Sequence, residues 1–408
     1  LRLLHTADWH LGQNLHGFDR ADEHAAFLDW LLDTLERERA DALLIAGDVF
    51  DQANPSAQAQ RQLYAFLAAA VQRRPGLDIV LIAGNHDSPG RLEAIAPLAA
   101  AFGVHVIGHT HADVHGHVEL ERLLLPLHDT DGAVAAWCLA VPFLRPADVP
   151  RSSADEAGAA YAAGVARLYA ELGALARTRR AAGQALIALG HCHLHGGAVS
   201  QHSERRLLIG NAEALPSTLF AADLDYVALG HLHRAQRIGE ERLRYAGSPL
   251  PLSFAEVDYP HQVLRVDFTD GRLSAVEALR VPRSRALLRL PAAGPAPLEA
   301  VLAELAATRF PSPAPYLEVR VRLDAPQPGL RPLIEDALKG HDVRLARIDS
   351  CYAQTSTEPE APAALERLDP AEVFARRYRM QFAAEPPEDY TAAFAELLQA
   401  VQHTEDAR

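Results

Sequence analysis

Cysteine is scarce: the 408 residues hold three, Cys138, Cys192 and Cys351, odd in number and scattered along the chain. They supply neither a disulfide framework nor a zinc knuckle. Apolar residues make up 49% of the chain, yet no apolar run approaches the about 18 residues needed to span a bilayer. No charged, apolar, small-residue leader opens the sequence either. A soluble, unexported, cytoplasmic protein without membrane contact is the expectation. Lysine is nearly absent, Lys339 being the only one, which reads as coding bias rather than a binding signal. Positive charge is also in deficit, with a formal net charge of −14. That balance argues against a chain that coats nucleic acid by electrostatics alone, because neutralising phosphates is the main source of such affinity. It does not exclude a nuclease, since bound divalent cations or a partner subunit can supply local positive charge. The length leaves room for two or three domains.

What the chain has in quantity is histidine, 20 in all, the commonest transition-metal ligand. Their positions follow the organisation of the chain. The stretch LRLLHTAD reads as a strand, EHAAFLDWLLDTLERERA as a helix with Leu28, Leu31, Leu32 and Leu35 on one face, and DALLIAGD as a second buried strand. The alternation repeats through SAQAQRQLYAFLAAAVQ, LDIVLIAGN, GRLEAIAPLAAAF and GVHVIG. Two apolar runs split by HDTDGA predict an antiparallel hairpin within residues 117–141. A long helix near residues 153–182, the strands QALIALGH and LDYVALGH, and further short strands complete a first domain, residues 1–282. Residues 283–353 read strand, helix, strand, helix, strand as a smaller unit. Residues 354–408 begin as a linker, QTSTEPEAPAA, and continue into helices, with Asp369 and Pro370 as a helix start. The last helix carries Tyr390, Phe394, Leu397, Leu398 and Val401 on one stripe. Alternating strands and helices predict an α/β fold whose site lies at the carboxyl ends of the strands.

Five strand ends break into ligand-type side chains: Asp8 and His10 in TADWHLG, Asp48 in AGDVFD, Asn85 and His86 in AGNHD, His191 in LGHCH, and His231 with His233 in LGHLH. A lone histidine after a strand is usually a satisfied loop residue, so the recurrence carries the signal. Oxygen and imidazole donors without thiolate suit manganese, iron or zinc. Two such ions about 3.5–4 Å apart can clamp one phosphoryl group and stabilise its leaving oxygen. One carboxylate must then bridge the ions, and one imidazole should stay off the metal to donate a proton. GHTH at residues 108–111 and GHCH at 190–193 share the form of GHLH, so His109, His111 and His193 are rival ligands. VHVIG is a shorter run than DYVALG and leads into a histidine-rich loop, which disfavours His109 and His111. His115, His117, His193 and His195 are read as loop residues.

The ordered motifs resemble the calcineurin-like metallophosphoesterases. More narrowly, DWHLG, GDVFD, GNHDSPGRL, SERRLLIGN, DYVALGHLHRAQ and YAGSPLPLSF resemble the bacterial SbcD nucleases, across essentially the whole chain. That resemblance implies a β-sandwich of mixed sheets flanked by helices, a smaller α+β capping domain that positions DNA, and a C-terminal helical tail. It implies one metal held by Asp8, His10, Asp48 and His233, a second by Asp48, Asn85, His191 and His231, and manganese as the metal. Asp48 would bridge, His86 would be the catalytic imidazole, and Asp87 would orient it. Asp51 stands where some archaeal relatives have a histidine. The implied activity is 3′-to-5′ exonuclease action on duplex ends and endonuclease action at single strands and hairpins, in DNA repair. The implied partners are DNA, a second copy of the chain, and an SbcC-like coiled-coil ATPase bound by the tail stripe.

Beside the resemblance, Gln13, Asn14 and His16 follow directly from His10 and are candidates for touching DNA. Arg20, Arg91, Arg205 and Arg206 could meet phosphates, though arginines on an acidic surface are usually solvated or paired. A phosphoesterase acting on small nucleotides or phosphoproteins is the alternative, since the same metals serve both. The extra domain and tail favour the nuclease.

Overall fold

The computed structural model describes residues 1–111, 117–149, 157–200, 214–352 and 370–405. It divides into two compact units, Leu1–Arg285 and Ala286–Arg408. The motif SERRLLIGN, Arg205, Arg206, His115, Asp369 and the linker QTSTEPEAPAA lie outside the described residues.

Unit one is built on two six-stranded sheets. The first runs, in spatial order, Arg272–Arg280, Gln262–Thr269, Arg2–Thr6, Ala42–Ala46, Asp78–Ile82 and Val104–Ile107. Its last four strands are parallel and its first two antiparallel. The second runs Gln236–Arg237, Leu243–Tyr245, Tyr226–Gly230, Ala185–His191, Val134–Ala140 and Leu124–His128. Four of these strands are parallel, and the outermost at each edge is antiparallel, including the hairpin expected around HDTDGA.

Successive side chains of a strand point to opposite faces, and that period sorts the first sheet into two cores. Leu3, Leu44, Val80 and Ile82 share a cluster with Ile187, Leu189 and Val227 of the second sheet. Their chain neighbours Leu4, Leu43, Ile45, Ile79 and Leu81 pack instead with Phe27, Leu31 and Leu35 of helix Ala21–Glu38 and Leu63 and Phe66 of helix Ala57–Arg73. Burial on both faces explains why these strands read as unbroken apolar runs. Each fully buried leucine contributes about 1.5–3 kcal/mol. Helix Ala157–Arg179 covers the second sheet through Val165, Leu168, Leu172 and Ala176. The result is the mixed-sheet sandwich flanked by helices that the resemblance implies.

GRLEAIAPLAAAF, read as one helix, is broken into Pro89–Glu93, Ala96–Ala99 and a single 3₁₀ turn, Ala100–Phe102. Pro97 is the physical reason: it lacks the amide hydrogen that would bond the Glu93 carbonyl in a continuous helix, and its ring crowds that carbonyl, so it is accommodated only in the first turn of a new helix.

Unit two contains the parallel strands Leu287–Leu290, Tyr316–Leu323 and Arg344–Tyr352, joined through helices Leu298–Ala307 and Leu330–Ala337. Val301, Leu305, Leu317, Val319, Val321 and Ile334 form its core. Helices Pro370–Phe382 and Glu388–Glu405 follow. Among the described residues no helix is long and apolar enough to cross a membrane.

Candidate metal centre

The parallel strands of both sheets deliver their carboxyl ends to one place. Past Thr6 and Ala46 two loops run side by side: the Asp8 amide donates to the Gly47 carbonyl at 3.0 Å, His10 to Asp48 at 3.0 Å, and Leu11 to Val49 at 2.9 Å. Four of the expected ligands hold positive φ: Asp8 (55°), His10 (47°), Asp48 (47°) and His231 (101°). Non-glycine residues in this region cost on the order of 1–3 kcal/mol each, and such strain concentrates at functional sites. Glycines make the approach of the loops possible. A Cβ on Gly84 would lie 2.2 Å from Asp48 Oδ1, and one on Gly230 would lie 1.9 Å from the Ala46 carbonyl. The AG and LG pairs before Asp48, Asn85, His191 and His231 are therefore a packing requirement.

The side chains gather in two groups whose donor atoms lie within 4.8 Å of one another: Asp8 with His10 and His233, and Asp48 with His191 and His231. Asn85 Oδ1 joins the second group, 2.9 Å from both His191 Nε2 and His231 Nδ1. Asp48 Oδ2 reaches both groups, 3.4 Å from His191 Nε2 and 3.7 Å from His10 Nε2. The His86 ring stands 4.7 Å from the His10 ring, and its amide donates to Asp48 Oδ1 at 2.8 Å. All seven expected ligands and His86 are thus brought together. His109 and His111 are not among them and collect instead around Glu93.

An outer layer fixes the imidazoles. Asp51 Oδ1 is 3.2 Å from His10 Nδ1, Glu256 Oε1 is 2.8 Å from His233 Nδ1, and the Ala46 carbonyl is 2.8 Å from His191 Nδ1. Each contact sets which ring nitrogen faces inward. Glu256 is fully buried and also accepts from Ser200 Oγ and the Leu252 amide. Sequence reasoning missed this residue; its only signal is a glutamate just past GSPLPLSF. Trp9, fully buried between Phe27 and Phe66, donates to Thr6 Oγ1 and anchors the loop carrying Asp8 and His10.

Other expectations need correction. Asp87 does not hold the His86 ring: its carboxylate accepts from the amides of Gly84, Val49 and Phe50 at 2.8, 3.1 and 2.9 Å. The Asp51 carbonyl faces His86 Nδ1 instead, at 2.8 Å. Asp87 therefore ties the two loops together. Gln13 donates to the Leu252 carbonyl and accepts from Arg20, which is itself buried on Glu23 and the Pro251 carbonyl. Both residues fasten the loop after His10 to the PLPLSF segment, and Arg20 is unavailable to phosphate. Asn14 and His16 are exposed.

Burial works against the charge on Asp48, but the imidazoles of His191, His10 and His86 outweigh it and hold its pKa well below the usual carboxylate range. Burial, reinforced by the Asp48 charge, pushes Asp87 up to about 6. One atom tests whether cations fit. His10 Nε2 is buried and has no hydrogen-bond partner, and 3.7 Å to Asp48 is too long for one. A buried orphan imidazole nitrogen among carboxylates, with hard and borderline donors and no thiolate, fits divalent cations.

Comparison with known proteins agrees with this geometry. A calcineurin-like phosphoesterase model matches residues 1–235, and a type 5 capsule protein repressor C-terminal domain model matches residues 283–382. The SbcD subunit of the SbcCD nuclease from Rhodobacter capsulatus is 43% identical over 93% of this chain and 94% of its own. Its namesakes from Escherichia coli and Bacillus subtilis are 40% and 37% identical, over 69% and 72% of this chain and 68% and 73% of theirs. The paired loops, the shared carboxylate and this continuous likeness have one source: the chain belongs to the calcineurin-like phosphoesterases and, within them, to the SbcD nuclease subunits.

Proposed function

We propose that the chain is the nuclease subunit of an SbcCD-type DNA repair complex, hydrolysing DNA phosphodiesters with two divalent ions, manganese in the cell. The observation that carries this reading is Asp48, whose Oδ2 serves both donor groups. Asp8, His10, Asp48 and His233 would hold one ion, and Asp48, Asn85, His191 and His231 the other. When bound, the ions supply Lewis acidity at the phosphoryl oxygens and lower the pKa of water.

The chain's own residues do the rest. With Nδ1 directed at the Asp51 carbonyl, the His86 ring is fixed as an Nδ1–H donor there, and Nε2 is the atom that gives a proton to the leaving oxygen. Glu256 and Asp51 keep His233 and His10 in register, and the Asp87 contacts keep the loop of Asp48 against that of Asn85. Residues 283–353 position DNA, and exposed Asn14 and His16 border its path.

The tail binds a coiled-coil ATPase partner. Phe394 stacks on Phe374 with ring centroids 4.3 Å apart, and Leu398 is half-buried, so this part of the stripe joins the two tail helices. Tyr390 and Leu397 remain 59% and 64% exposed and are the residues offered to the partner; the side chain of Val401 lies outside the described residues. A homodimer in the cytoplasm, acting 3′-to-5′ on duplex ends and endonucleolytically on hairpins and single strands, completes the reading.

The test is turnover of an end-labelled blunt duplex beside a small chromogenic phosphodiester, with manganese or chelator. Manganese-dependent shortening of the duplex supports the nuclease. Turnover of the ester alone, with all DNA intact even when the ATPase is added, assigns the chain to small substrates.

A further inference from the structure

Two histidines that do not join the dinuclear centre, His109 and His111, form a cluster of their own with Glu93. Glu93 ends the short helix Pro89–Glu93, seven residues beyond His86, and His109 and His111 follow the strand Val104–Ile107. His109 Nδ1 lies 3.2 Å from Glu93 Oε2, and His111 Nε2 lies 3.0 Å from the same oxygen. One donor atom from each of the three residues falls within 4.8 Å of the others.

Three features separate this arrangement from a chance ion pair. The carboxylate is pinned from behind: the amides of Gly108 and His109 donate to Oε1 at 2.8 and 3.1 Å, turning Oε2 toward both rings. The separations come near those of a coordination polyhedron, since bonds of about 2.0–2.2 Å in a tetrahedral site put neighbouring donors about 3.3–3.6 Å apart, so an ion would have to open the 3.0 and 3.2 Å contacts by a few tenths of an ångström. The two segments are also packed tightly enough to hold the cluster, because a Cβ on Gly108 would lie 2.4 Å from the Pro89 carbonyl. The imidazoles are partly open, His109 at 42% and His111 at 36% side-chain exposure, while Glu93 is at 14%, so a further position is open to water.

We propose that Glu93, His109 and His111 form a second metal site that takes one borderline divalent transition ion of the zinc class, sharing no residue with the dinuclear centre. Two imidazoles and one carboxylate without thiolate select against copper(I), and against calcium and magnesium, which prefer all-oxygen shells. The ion would cross-link the loop after strand Val104–Ile107 to the helix that begins three residues after His86. Its role is therefore to brace the segment carrying Asn85 and His86, and its binding does not depend on the substrate of the dinuclear centre.

The experiment uses the full chain stripped of metal, exposed to zinc and freed of unbound ion, beside a His109→Ala/His111→Ala double variant and a Glu93→Gln variant. Zinc bound per chain and the zinc-dependent shift in melting temperature are measured. Zinc also enters the dinuclear centre, so the difference between chains is the readout. The proposal predicts one more ion per unaltered chain than per either variant, and a larger zinc-dependent rise in melting temperature. Glu93→Gln keeps the acceptor for the Gly108 amide and serves should the double variant fail to fold. Equal zinc content and equal shifts in the unaltered chain and a folded variant overturn it, leaving a hydrogen-bonded Glu–His pair.

Discussion

Asp48 is asked to be ionised where ionisation is most costly: it is buried, next to Asp87 and within reach of Asp8. The surrounding imidazoles offset part of that cost, and cations shared between the two donor groups would remove the rest. Asp48→Asn is therefore predicted to lower activity to the chelator level and to reduce manganese bound per chain, measured by equilibrium dialysis. His86→Asn should separate the two properties. Metal content stays as in the unaltered chain, while kcat falls by about 10²–10⁴, the usual contribution of a positioned acid. Glu256→Gln tests the outer layer: weakening one His–carboxylate contact should raise the manganese dissociation constant about 10–100-fold with the fold intact. The inner residues were legible because each stands at or just past the end of a buried strand. Glu256 and Asp51 were not, since an orienting residue needs no local pattern, only spatial arrival at a ring nitrogen. His5 shows the opposite case, a histidine inside a strand that is wholly structural. Its ring meets the Tyr226 hydroxyl and the Leu229 carbonyl, and burial lowers its pKa to about 3.

The elements matter because the site is made of loops that touch backbone to backbone. Gly84 leaves no room for a methyl group: the Asp48 amide and carboxylate would each lie 2.2 Å from its carbon. Gly84→Ala is predicted to destabilise unit one by on the order of 2–3 kcal/mol and to weaken metal binding, read from urea midpoints with and without manganese. Strands and their succession along the chain were readable from buried apolar runs, though not their order in the two sheets, and the hairpin from HDTDGA between two such runs. The run at residues 90–102 misled because its composition is helical, while one proline decides its geometry. The loop after His10 misled in another way: Gln13 is polar and near the site, yet it is consumed in holding the PLPLSF segment.

For the whole molecule, the proposed function puts chemistry and partner contact in different stretches of chain. Tyr390→Asp with Leu397→Asp should abolish capture of the ATPase partner and leave turnover of a small phosphodiester unchanged. Both side chains are exposed, so the melting temperature should barely move. A loss of ester turnover would place the tail in folding rather than in docking. The packing of the tail stripe was only half visible in the sequence, because a single stripe cannot say which of its residues a neighbouring helix takes; Phe374 claims Phe394. The claim on which the rest depends is that one carboxylate serves two ions. The most direct measurement is the anomalous scattering of manganese in crystals of the full chain. The account predicts two peaks about 3.5–4 Å apart, on either side of Asp48 Oδ2, one next to His10 and His233 and the other next to Asn85, His191 and His231. A single peak, or two that do not share Asp48, would contradict it.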